Sequence, residues 1–127
     1  MSFRFSRRSR SRMKGVHPDL IAVAERAITT TPIDFLVTEG LRTPIRQAAL
    51  VKAGASRTLK SRHLTGHAID IAALVDGKVR WDWPLYPRLA AAFKAAAREL
   101  DVALVWGGDW PTLRDGPHFE LDRRRYP

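Results

Sequence analysis

Apolar positions along the chain recur with two periods, roughly 3.6 and 2 residues, and the switches between them mark out the elements. After Pro18, residues Leu20, Val23, Ala24, Ala27 and Ile28 follow helical spacing, with Asp19 in the first turn where the helix dipole favours a carboxylate. Thr29-Thr30-Thr31-Pro32 ends that helix, and Ile33, Phe35 and Val37 then alternate with polar residues as a strand does. Thr43-Pro44 supplies an N-cap and a first-turn proline for a second helix, which stops near Gly54. A basic loop, Ser56 to Arg62, follows it. Ala68 to Val75 reads as a strand, and Asp76-Gly77 as a hairpin turn before Val79 and Trp81. The longest stripe, Leu85, Leu89, Phe93, Ala96 and Leu100, predicts a helix opening at Pro84. Short strands are predicted over Val102 to Trp106, ended by Gly107-Gly108, and over His118 to Leu121. Helices interleaved with short strands and hairpins, without a βαβ rhythm, predict an α+β fold: a short antiparallel sheet packed with helices. There is no internal repeat and no linker, so residues 1–127 read as a single domain with a basic N-terminal arm over 1–14.

Inside the Ala68–Val75 strand the alternation carries chemistry. Asp70 lies between Ile69 and Ile71, so it projects from the face opposite the isoleucines. A carboxylate there is costly unless something pairs with it, and a divalent metal is one such partner. His63 lies an odd number of residues earlier, but Gly66 can turn the chain and return its ring to Asp70. His118, in the alternating run with Phe119 and Leu121, is the best candidate for a third ligand. Two histidines and an aspartate leave a fourth zinc position open, as catalytic zinc requires. His67 is read as a non-ligand, because Gly66 disfavours the helix that would pair it with His63. His17, before Pro18, is read as structural. Asp115 precedes His118 by three residues, across Gly116-Pro117, and such a turn can aim a carboxylate at the water nucleophile without ligating the metal. Turn chemistry alone is the competing explanation. Glu120 shares the His118 face and is either an alternative base or a group that orients a ligand imidazole.

The pattern Ser61-x-His63-x-x-Gly66-x-Ala68-x-Asp70, followed by Asp115-x-x-His118, resembles the zinc D-Ala-D-Ala carboxypeptidases and L-alanyl-D-glutamate endopeptidases, a VanY-like family that includes small phage endolysins. The resemblance runs from about Gly15 to Leu121. It takes in Gly40-Leu41-Arg42-Thr43 with Gln47, and Trp106-Gly107-Gly108-Asp109-Trp110. It implies a hedgehog/DD-peptidase-like fold with the zinc site on the sheet face, and one zinc per chain held by His63, Asp70 and His118. It also implies Asp115 as general base, with Arg42 holding a substrate carboxylate or oxyanion. Ser61, Gln47 and Trp106 are the substrate-binding candidates, against plainer roles in loop and core.

Composition changes the picture at the ends of the chain. With 22 Lys and Arg against 13 Asp and Glu the net charge is +9, and five arginines and a lysine fall between Arg4 and Lys14. Solvated ends are the ordinary explanation; attraction to a polyanion is the sharper one. Four tryptophans and 45% hydrophobic residues exclude a disordered chain, and the absence of cysteine excludes disulfides and thiolate metal sites. The basic N-terminus lacks the apolar centre of a signal peptide, and no apolar run is long enough for a membrane span. The expectation is therefore a phage endolysin made in the host cytoplasm, a monomer, which reaches the cell wall after holin-type release and cuts the peptidoglycan stem peptide. The basic ends would engage an anionic envelope, and no stable nucleic-acid partner is expected. The alternatives are a D-Ala-D-Ala carboxypeptidase, a zinc-bearing relative without catalysis, and a basic nucleic-acid module with a closed structural zinc.

Overall fold

The computed structural model describes residues 3–56 and 58–127. Its central strand, β2 (Ala68–Val75), is bordered on one edge by β1 (Asp34–Glu39) and on the other by β5 (His118–Leu121) and then β3 (Lys78–Arg80). β4 (Leu104–Trp106) pairs with β5, and every pairing is antiparallel. The α+β expectation holds. The final strand pair is shorter than its apolar run suggested, because Val102 and Ala103 lead into β4 without joining it.

One face of the sheet is dry. Phe35 and Val37 of β1, Ile69, Ile71 and Ala73 of β2, and Phe119 and Leu121 of β5 all enter the core. They meet the apolar stripes of α2 (Pro18–Thr30) and α4 (Leu85–Leu100), the latter bringing Leu89, Phe93 and Ala96; between them in the chain, α3 (Pro44–Lys52) opens at the Thr43 cap as expected. Phe93 stacks on Phe119 and tilts against Phe35, which ties helix to sheet. Each of the Val, Leu, Ile and Phe side chains among them, fully buried, contributes about 1.5–3 kcal/mol. Leu100 ends the α4 stripe half-exposed, and Trp81, beyond the hairpin, is 59% exposed and stacks on Tyr86.

The basic N-terminal stretch is more structured than its composition suggests. Ser6 caps α1 (Arg7–Arg12) by accepting from the Ser9 N–H, and Ser9 is buried against β1. Ser9 Oγ accepts from the Val37 N–H at 3.0 Å, and Arg12 donates to the Val37 carbonyl at 3.0 Å. The outer edge of β1 would otherwise present unpaired backbone there. Phe5 and Met13 complete the docking, Phe5 edge-on to Phe35. No apolar period marks this helix because the apolar residues, Phe5 and Met13, lie outside it, and Ser9, the residue that buries, is polar.

Candidate metal centre

The wet face of the sheet carries a row of three charged residues. Asp70 of β2 stands opposite His118 of β5 on one side and opposite Glu39 of β1 on the other. Glu39 reaches that row through a bulge: the register slips between Val37 and Glu39. Without the extra residue, strand alternation would point Glu39 into the core beside Val37.

His63 arrives from outside the sheet, on a 3-10 turn over Arg62–Thr65. Ser61 caps the turn by accepting from the His63 N–H, and Gly66 closes it at φ 75°, in the left-handed region. A side chain at Gly66 would also collide with the Gly15 carbonyl. The turn that brings His63 back to Asp70 therefore depends on glycine twice over.

His63 Nε2 lies 3.3 Å from Asp70 Oδ2, and His118 Nδ1 lies 3.1 Å from Asp70 Oδ1. One ligand atom from each residue falls within 4.8 Å of the other two. The remaining ring nitrogens fix the tautomers. His63 Nδ1 is 2.9 Å from the Gly40 carbonyl, and His118 Nε2 is 2.8 Å from Glu120 Oε1; both partners can only accept, so both nitrogens carry hydrogen. The lone pairs of the other two nitrogens are then aimed with a carboxylate at one point. Three acceptors facing one another are repulsive unless a cation stands between them, and this is the donor set and outer hydrogen bonding that divalent zinc takes. The electrostatics agree. With a proton in place of that cation on Nδ1, burial opposes a charged His118, but hydrogen bonds to Asp70 and Glu120 outweigh it and raise its pKa to about 9. Burial likewise opposes the Asp70 carboxylate, and bonds from His118 and His63 overcome it and hold its pKa well below the usual range. Positive charge belongs at this point.

Asp115 lines the same cleft, of about 890 Å³, without belonging to the three-residue group. Its N–H donates to the Gly107 carbonyl at 3.0 Å, and its carbonyl accepts from the His118 N–H at 3.2 Å, so the turn locks it to the ligand. A Cβ at Gly107 would strike the Asp115 backbone. Burial and the neighbouring Asp70 push the Asp115 carboxyl upward, toward the working range of a general base.

The other candidates divide. Ser61 and Arg42 line the cleft. Arg42 is buried and committed: Nε and Nη2 donate to the two Glu39 oxygens at 2.8 Å each, and Nη1 donates to Gln47 Oε1 at 2.7 Å. Nη2 also lies 3.7 Å from Asp70 Oδ2. Gln47 is fully buried off the cleft wall, where it holds Arg42, Ser56 and the Thr58 carbonyl. Trp106 is buried too, donating to the Gly116 carbonyl at 2.7 Å and stacking on Trp83, which supports the Asp115 turn from behind. His67 bonds Thr65 and packs near His17, outside the cleft, and His17 caps α2 by accepting from the Asp19 N–H. Glu39, Lys60, Trp110, Leu113 and Arg123 also line the cleft, and nothing in the sequence pattern marked them for it. The bulge hid Glu39; the others sit in loops, where no period operates.

A family model for phage L-alanyl-D-glutamate peptidase matches residues 1–124. The L-alanyl-D-glutamate peptidase of Escherichia phage T5 is 37% identical over 130 residues, covering 99% of this chain and 94% of that protein. The crystal structure of the Serratia marcescens L-Ala D-Glu endopeptidase ChiX superposes with a TM-score of 0.93 at 49% identity, covering 99% of this chain and 95% of that one. The vancomycin-resistance D,D-dipeptidase VanXYg shares the fold alone, at 18% identity and a TM-score of 0.50 over 81% of this chain and 47% of that one. With its Ser61-to-Asp70 and Asp115-to-His118 motifs brought together on one sheet face, the chain belongs to the phage L-alanyl-D-glutamate peptidase family.

Proposed function

We propose that this protein hydrolyses the bond between L-alanine and D-glutamate in peptidoglycan stem peptides, with one zinc ion held by His63, Asp70 and His118. The observation that carries the reading is the convergence of two imidazole lone pairs and a carboxylate at the floor of an open cleft, with a second carboxylate, Asp115, beside them. A three-ligand group opening on solvent suits catalysis rather than a closed structural site. Bound there, zinc supplies Lewis acidity, which eases deprotonation of a water nucleophile and polarises the scissile carbonyl.

The chain's own residues do the rest. Asp115 accepts the proton of the attacking water and returns it to the leaving amine. Glu120 and the Gly40 carbonyl hold the two imidazoles in the ligating tautomer. Arg42 is fixed by Glu39 and Gln47, so its remaining capacity is electrostatic: it presents a buried positive charge where negative charge develops in the transition state. Ser61, at the cleft edge, is placed to bond substrate backbone. Gln47 supports the site from beneath, and Trp106 from behind the Asp115 turn. In the cell the substrate lies in the wall, which a phage lysis protein reaches after release from the host cytoplasm, and exposed basic residues hold the enzyme at an anionic envelope.

Chelation tests the metal requirement. Stem-peptide hydrolysis should stop on treatment with a chelator and return on addition of about one zinc per chain; activity that persists in metal-free protein would refute the mechanism.

A further inference from the structure

The cleft has one wall whose charge the metal chemistry does not use. Its acids are all accounted for: Glu39 grips Arg42, Asp70 lies between the imidazoles, Glu120 bonds His118, and Asp115 is the base. The cations are not. Arg42 is held by Glu39 and already has its place in the mechanism, but Lys60, Arg62 and Arg123 line the cleft and form no ion pair among the described residues. Arg62 Nη2 donates to both the Leu121 and Tyr126 carbonyls, at 3.2 and 2.6 Å, while its buried Nε finds no partner. Those two carbonyls lie on either side of Arg123 in the chain, so the Arg62 guanidinium packs against the segment that carries Arg123 and two like charges share this part of the cleft. Lys60 and Arg123 are exposed and unengaged at the cleft rim. Both sit on segments that carry metal ligands: Lys60 enters the turn of His63, and Arg123 leaves the strand of His118.

Crowded cations that face a cleft favour an anion there. The substrate proposed above has one in reach. D-glutamate has two carboxyl groups, and only one can continue the peptide, so the residue next to the scissile bond keeps a spare carboxylate. We propose that Lys60 and Arg123, with Arg62 behind them, form a carboxylate subsite that binds this spare group of the D-glutamate on the leaving side of the cut. The subsite rests on the peptidase reading and deepens it: it makes the free acid, rather than its amide, the preferred substrate.

Two soluble stem peptides that differ only in whether this carboxylate is free or amidated, given to the zinc-loaded full chain at low salt, test the assignment. The free acid should be cleaved with kcat/KM about tenfold higher, the scale of two solvent-exposed ion pairs, and salt should shrink that ratio. Lys60→Gln with Arg123→Gln should bring the ratio down toward one, while Lys60→Arg with Arg123→Lys should keep it. Equal cleavage of both peptides by the wild type, or a ratio that survives the double Gln substitution, overturns the subsite alone. Cleavage of neither peptide overturns the peptidase reading and the subsite with it.

Discussion

Asp115 stands beside the metal group without joining it, so its loss and the loss of a ligand have different consequences. Asp115→Asn keeps the turn and removes the proton acceptor: zinc should stay bound while kcat falls by about 100- to 10,000-fold, with KM moving far less. His63→Ala, Asp70→Ala and His118→Ala should each strip zinc, measured by metal analysis after dialysis, whereas His67→Ala should retain it. Glu120→Gln leaves a weaker acceptor on His118 and should cost about 10- to 100-fold in metal affinity or activity, as outer-shell partners do. An inactive Glu120→Gln beside an active Asp115→Asn would show that Glu120 is the base. At this scale the site was legible where strand alternation operates: the isoleucines around Asp70 and the Phe119–Leu121 pair around His118 gave their faces away. Glu39 was not, because a bulge reverses the alternation that would have been used to read it.

Elements turn those side chains into a site through two local devices, the Gly66 turn and the β1 bulge. Gly66→Ala forces a side chain into left-handed backbone and against the Gly15 carbonyl, so it should lower unfolding free energy by at least about 1 kcal/mol and weaken zinc binding by displacing His63. The bulge places Glu39 under Arg42, whose hydrogen bonds outweigh burial and hold the Glu39 carboxyl below the ordinary glutamate range. A depressed folded-state pKa stabilises the protein above the unfolded value of about 4.3, and that contribution disappears as pH falls through the folded value. Wild-type protein should therefore lose stability in thermal melts between about pH 5 and pH 3, and Glu39→Gln, weaker at neutral pH, should show a shallower decline over that interval. The long stripes of α2 and α4 could be read directly because they bury one face against a sheet. The turn of His63 could be read from Gly66, but the short helix α1 could not, since it is held by a polar bond to distant backbone, Ser9 to Val37.

Across the whole molecule, charge and fold overlap at the N-terminus. Deleting the residues before Lys14 would remove Phe5, Ser9 and Met13 from the core along with the arginines, so truncation should impair folding and soluble-peptide hydrolysis together. Substituting only the exposed Arg7, Arg8 and Arg10 by Gln separates the two: lysis of whole cells should weaken most at low salt, and soluble-peptide hydrolysis should not change. Cleavage between L-alanine and D-glutamate is decided by the new termini that form when the zinc-loaded protein digests purified peptidoglycan. Mass spectrometry should find stem peptides that begin with a free D-glutamate amine. Released D-alanine, with the L-alanyl-D-glutamate bond intact, would contradict it.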